Sequence, residues 1–262
     1  MNFFARWLRR SAGDAGPVYV TERFGVRSLH IGSDTIQSSM RLARPNDLEL
    51  AYTRSMMAFL LFNERPQRVL MVGLGGGSLL KFIYHRMPWV SIEAVEINPQ
   101  VVLIARRQFH VPADDERLTV RIGDGAECVA QAESCADLIA VDGYDGESQV
   151  AGLSSAAFYE ACRRRLAPGG MLVVNLWGSD RLFDDYLERI EAAFPAGTLA
   201  LPAEKPGNIL VFGFRDPVGE PRWEELAAKA RELEARYGLE FGKFVQGLRK
   251  MNRHDGERLY IS

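Results

Sequence analysis

The 262-residue chain is short of the residues that mark metal sites and disulfide frameworks. Its three cysteines, Cys128, Cys135 and Cys162, show no CxxC spacing and cannot all pair. His30, His85, His110 and His254 are scattered, without the spacing of metal ligands, and read as surface or packing residues. No metal is expected, and reduced thiols point to a cytoplasmic protein. Excess positive charge is missing too: the formal net charge is −2, so no nucleic-acid partner is expected. No apolar run reaches the roughly 18–20 residues that a membrane span needs. Met1 to Arg10 mixes Phe3, Phe4, Trp7 and Leu8 with three arginines, a poor signal peptide that reads as a frayed or packed N-terminal helix, with a short membrane-touching amphipathic segment as the alternative. No membrane partner is expected. The P-loop pattern GxxxxGK[ST] is absent, which argues against ATP or GTP hydrolysis.

What is present divides in two. After a Gly- and Ala-rich linker at Ser11 to Pro17, short β-like runs cover Val18–Phe24, Arg27–Ile31 and Thr35–Met40. Gly25 and Gly32-Ser33 punctuate them, the pattern of a small antiparallel sheet of hairpins. Asp47 to Phe62 carries apolar residues at helical spacing, with Asn46 and Asp47 as candidate caps. From Arg68 onward strands and helices alternate. Strands are predicted at Arg68–Val72, Ser91–Glu96, Leu118–Ile122, Asp137–Val141, Met171–Asn175 and Asn208–Phe214. Between them lie helical stretches at Ser78–Arg86, Pro99–Phe109, Ala126–Ala132, Ser155–Leu166 and Asp180–Phe194. Such alternation predicts an α/β fold, a mostly parallel sheet with helices on both faces. The tail, Pro221 to Arg249, adds a helical pattern polar enough for the surface. The expected domains are 1–62, hairpins and a linking helix, and 63–262, a Rossmann-like domain with C-terminal helices.

The chemistry gathers at strand ends. The first strand runs into Gly73-Leu74-Gly75-Gly76-Gly77-Ser78 ahead of a helix, where glycine permits a sharp turn and close approach of a ligand. The second ends at Glu96, placed to accept hydrogen bonds from ribose hydroxyls; alone, it reads equally as a solvated carboxylate. The third ends at Gly123-Asp124-Gly125, which can meet an adenine edge or cap the next helix. The fourth ends in Asp142-Gly143-Tyr144-Asp145-Gly146. Ligands of open α/β sheets bind at these carboxyl ends. The loop fits a dinucleotide fingerprint imperfectly, because Ser78 stands where a third glycine belongs.

Glu96-Ile97-Asn98-Pro99, the Gly-Asp-Gly turn, and Leu166-Ala167-Pro168-Gly169-Gly170 before Met171 resemble the S-adenosylmethionine pattern of class I methyltransferases. Val18 to Leu176 resembles, more narrowly, the spermidine synthases (polyamine aminopropyltransferases). Gly32-Ser33-Asp34-Thr35-Ile36-Gln37 is similar to their strand-turn motif, Val69 to Leu80 to their glycine loop, and Val95-Glu96-Ile97-Asn98 to their V-E-I-D. Val141-Asp142-Gly143-Tyr144-Asp145 is similar to their D-x-x-D, and Phe158-Tyr159 to their "EFY" helix. The resemblance implies a class I methyltransferase fold with a seven-stranded sheet, plus a small N-terminal β-domain. It implies Gln37, Gly73, Gly75, Gly76, Glu96, Ile97, Asp124, Gly125 and Asp142 around the donor. It places Tyr52 and Asp145 on the amine and Asp142 or Asp145 as the proton acceptor; Tyr144, between the two acids, is a candidate hydrogen-bond partner. The co-substrate is decarboxylated S-adenosylmethionine or S-adenosylmethionine, the acceptor a small amine, and the assembly a homodimer.

Three departures bear on the amine half. Gly76 stands where the family carries an aspartate, which implies tolerance of a donor carboxylate. Thr53-Arg54 replaces His-Glu after Tyr52, and a positive Arg54 beside the site would repel a dication. Gly146 replaces a proline after Asp145. Aminopropyl transfer is the leading expectation; methyl transfer on the same fold and a non-catalytic nucleoside-binding homologue are the alternatives.

Overall fold

The computed structural model describes residues 16–131, 135–143, 151–203 and 207–261. Tyr144, Asp145 and Gly146, and the segment 1–10, lie outside the described residues.

Strands β1 (Val18–Arg23), β2 (Val26–Ile31) and β3 (Ile36–Arg41) form the antiparallel three-stranded sheet that the hairpin pattern predicts. Leu29 and Met40 on its inner face pack with Val101 and Phe109 of the larger domain. A helix, α1 (Ala51–Met56), follows and tightens into a 3-10 turn at Met57–Leu61. The helix starts later than the pattern suggests. Its N-cap is Leu50, with no capping side chain, while the Asp47 carboxylate is paired with Arg44 and Arg86.

The larger sheet contains β4 (Arg68–Val72), β5 (Ser91–Glu96), β6 (Leu118–Ile122), β7 (Ala136–Val141), β8 (Leu166–Trp177), β9 (Thr198–Pro202) and β10 (Asn208–Phe214). Their spatial order is β6-β5-β4-β7-β8-β10-β9. The first five strands are mutually parallel; β10 runs antiparallel to both β8 and β9. Strand order reverses between β4 and β7, so a crevice opens beyond their carboxyl ends.

Strand faces explain the burial. Val69 and Met71 of β4 enter one hydrophobic cluster, and Leu70 and Val72 enter another on the opposite face. Both faces are apolar because helices cover both, as a parallel sheet requires. One layer holds α2 (Ser78–Arg86), α3 (Pro99–Gln108), α7 (Trp223–Tyr237) and α8 (Phe241–Met251). The other holds α4 (Gly125–Gln131), α5 (Ala156–Arg165) and α6 (Phe183–Ala193).

Three further features differ from the sequence pattern. The Pro-Gly-Gly turn is a bulge within β8: Ala136 pairs with Leu166 and Leu138 with Met171, leaving 167–170 looped out. The polar tail is two helices, separated at Gly238 in the left-handed region (φ 70°), and it is not a surface appendage. Trp223, Leu226, Leu233, Phe241 and Leu248 bury an apolar stripe in the main core. Strand β9, absent from the predicted strands, forms the edge beside β10.

Candidate active site

The glycine loop is shaped by its neighbours. Gly73 adopts φ 94°, and a Cβ there would lie 2.1 Å from the Asp142 carbonyl oxygen. Glycine lets the ends of β4 and β7 abut, which brings Asp142 to the loop. Gly75 is also left-handed, at φ 52°.

Glu96 ends β5 beneath the loop. The backbone N–H of Leu74 donates to its Oε2 at 3.0 Å, and that of Asn98 to its Oε1 at 3.0 Å. Burial pushes the carboxyl above its ordinary range, and these backbone donors pull it back. The N–H groups of Gly75 and Ile97 add to that pull, and the carboxylate lines the cavity. Beside it, Ile97 is 41% exposed, an apolar surface suited to an adenine face. Asp124 is a helix cap at the cavity wall. Its Oδ1 accepts from the N–H groups of Ala126 and Glu127, capping α4, and the residue also lines the cavity. Gly125 fits because a Cβ there would meet Val72 Cγ1 at 2.3 Å.

One cavity therefore unites Gln37, Gly73, Gly75, Glu96, Ile97, Asp124, Gly125 and Asp142, with Ile31 reaching in from the small sheet. A second, smaller one lies across Asp142, lined by Gln37, Ser38, Tyr52, Thr53, Gly75, Ser78 and Asp142 among others. Asp142 borders both. Tyr52 Oη donates to its Oδ2 at 2.9 Å, and Asn175 Nδ2 to its Oδ1 at 2.9 Å. Enclosure raises the Asp142 carboxyl above its usual value, against those two hydrogen bonds. Tyr144 and Asp145, expected beside it, lie outside the described residues.

The departures read differently in three dimensions. Arg54 does not face the site. On a helix, residue 54 turns about 200° from residue 52. Its Nε donates to Glu240 Oε1 at 3.1 Å and its Nη1 to the Glu49 carbonyl at 2.7 Å. The expected repulsion of a dication by Arg54 is corrected: the charge is paired on the far side of α1. Gly76 lines neither cavity. A Cβ there would stand 2.7 Å from Ser38 Oγ and 2.8 Å from Phe109 Cδ1, so the buried Phe109 ring occupies the space a side chain would need.

Sequence reasoning missed Asn175. It is a lone amide after the apolar run Met171-Leu172-Val173-Val174 in β8, and only the pairing of β8 with β7 sets it beside Asp142. The hydroxyls of Ser38 and Ser78 lie 3.3 Å apart across the interface of the small sheet and α2, a contact that no local sequence pattern indicates. Among the described residues no group of three or more His, Cys, Asp or Glu is placed to hold a metal ion.

The profile of the spermine/spermidine synthase domain matches residues 49–198. A polyamine aminopropyltransferase of Chromobacterium violaceum is 41% identical over 261 residues, covering 100% of each chain. The chain belongs to the spermine/spermidine synthase family. The family's fold agrees: a probable spermidine synthase from Corynebacterium glutamicum superposes with a TM-score of 0.71 at 22% identity, over 91% of this chain and 93% of that one. Human methyltransferase-like protein 13, solved in complex with SAH, superposes with a TM-score of 0.64 at 28% identity, over 79% and 96%. Within this spermidine synthase-like fold the two cavities meet at Asp142.

Proposed function

We propose that the chain transfers an aminopropyl group from decarboxylated S-adenosylmethionine to a small amine. The observation that carries this reading is the enclosed Asp142 carboxylate at the junction of the two cavities, in a chain similar over its full length to a polyamine aminopropyltransferase. The nucleoside occupies the cavity of Glu96 and Ile97, with Glu96 on the ribose and Asp124 and Gly125 near the adenine. The sulfonium makes its adjacent carbon electrophilic, so the protein needs no covalent intermediate. A neutral amine attacks that carbon as the carbon–sulfur bond breaks; methylthioadenosine leaves with the bonding pair. Asp142 accepts the proton that the amine loses. A sulfonium bound beside Asp142 favours its ionised form, offsetting the desolvation that raises it.

In this reading Asp145 binds the amine, Tyr144 supports the two carboxylates, and Tyr52 orients Asp142. The chain divides at residue 62 into a β-hairpin domain and a nucleoside-binding catalytic domain, works in the cytoplasm, and pairs as a homodimer. Full-length similarity to an aminopropyltransferase favours this over methyl transfer and over a non-catalytic role.

Ligand-induced stabilisation tests the donor. A ligand that binds only the folded state raises stability by RT ln(1 + [L]/Kd). Decarboxylated S-adenosylmethionine is expected to raise Tm more than S-adenosylmethionine at equal concentration. The reverse order contradicts the reading.

A further inference from the structure

We propose that Asn208 is a positioning residue for Asp142: its amide N–H locks the Asn175 carboxamide in the orientation that presents a donor to the carboxylate. The inference rests on the proposed role of Asp142 as proton acceptor.

Strand register builds the relay. Asn208 pairs with Trp177 and Leu210 with Asn175, so Asn208 sits diagonally from Asn175 on the same face of the sheet. Val141 pairs with Val174 in parallel, which brings the next residues, Asp142 and Asn175, alongside. Asn208 Nδ2 donates to Asn175 Oδ1 at 3.0 Å, and Asn175 Nδ2 donates to Asp142 Oδ1 at 2.9 Å. Asn175 is 2% exposed, so water does not readily replace either partner.

A carboxamide has one donor end and one acceptor end. With Asn208 donating, the Asn175 oxygen is held toward β10 and its NH2 toward Asp142. Reversed, Asn175 would aim its oxygen at the carboxylate, which is tolerable only when Asp142 is protonated. The amide on β10 therefore biases Asp142 toward the ionised form that can take a proton. Asp142 also faces the Tyr52 phenol on α1, with the Glu96 carboxyl on β5 and Asp124 before α4 lining the same cavity.

Asn208→Asp tests the lock, because an ionised carboxylate at 208 only accepts and so rewards the reversed Asn175. The acid limb of the kcat–pH profile should move up by about one unit, a roughly tenfold loss of kcat on that limb. Turnover at high pH should stay near wild type and the donor KM within about twofold. Asn208→Gln, which keeps a carboxamide donor, should return the limb toward wild type. A loss that is uniform across pH, or a limb that does not move, overturns the proposal. A second readout does not depend on turnover: the carboxyl infrared band of Asp142, obtained by subtracting the Asp142→Asn spectrum in each background. Its titration midpoint should rise in Asn208→Asp, and an unchanged midpoint overturns the lock even if the wild-type chain transfers no aminopropyl group. Absence of wild-type turnover with a raised midpoint would sink the functional reading alone.

Discussion

Tyr52 Oη donates a hydrogen bond to Asp142 Oδ2 across 2.9 Å, joining the helix after the small sheet to the carboxyl end of β7. The same hydroxyl lies 3.2 Å from the Gln37 carbonyl, so a single side chain ties three segments at the point where the cavities meet.

Asp142→Asn removes the proton acceptor and keeps its shape. Turnover should fall by about 10²- to 10⁴-fold, the usual contribution of a positioned acid or base. Nucleoside binding should survive, because Glu96 and the glycine loop are untouched. The variant should also be more stable at neutral pH. A carboxyl raised by burial contributes stability that is present below its unfolded value and lost as pH rises through the folded one. Asparagine carries no such loss. Equal Tm values at pH 7, or preserved turnover, would count against this account of Asp142.

Glu96→Gln should weaken binding of methylthioadenosine by roughly 10- to 100-fold, since hydrogen bonds to charged groups contribute about 1.5–3 kcal/mol. Glutamine also turns an N–H toward the backbone donors of Leu74 or Asn98, so the loop itself is disturbed. Calorimetric titration measures the change; an unaltered affinity would remove Glu96 from the ribose.

Arg54→Ala breaks the pair with Glu240 at the start of α8. Partly exposed pairs contribute about 0.2–1 kcal/mol, so a small drop in stability is expected, with diamine KM unchanged. A marked fall in KM would restore the idea that Arg54 repels the amine.

Gly76→Asp places a side chain against Phe109 and Ser38. Overpacking of this kind typically costs 1–3 kcal/mol. The substitution should lower Tm and should not sharpen selection against a carboxylated donor. Selection without destabilisation would show that the position opens onto the site.

Lys81 is buried between the small sheet and α3, its Nζ donating to the carbonyls of Pro45 at 2.7 Å and Phe109 at 2.6 Å. Burial lowers its pKa to about 8. Between pH 8 and the unfolded value near 10.5 the unfolded chain binds more protons, so stability should rise with pH there. Lys81→Met lacks that rise. Paired denaturant curves at pH 7.5 and 9.5 measure it, and parallel behaviour of the two proteins would contradict it.

Much of the fold was legible because periodicity and punctuation agreed. Arg68–Val72, Ser91–Glu96 and Asn208–Phe214 begin and end where the apolar runs do. What was illegible depended on partners distant in sequence. The tail looks polar, but its stripe from Trp223 to Leu248 is apolar only along the side that meets the sheet. Asp47 looks like a helix cap until Arg44 and Arg86 claim its carboxylate. In the site, the carboxylates and glycines stand out as types at strand ends. Asn175 and Asn208 matter only through a strand register that no local pattern reveals.

The central claim is that this chain moves an aminopropyl group. The direct test incubates the purified protein with decarboxylated S-adenosylmethionine and a panel of diamines, and in parallel with S-adenosylmethionine and the same amines. Methylthioadenosine and an aminopropylated amine are expected from the first mixture, with both formed at least about 10²-fold more slowly by Asp142→Asn. S-adenosylhomocysteine from the second mixture, with no methylthioadenosine from the first, would contradict the claim.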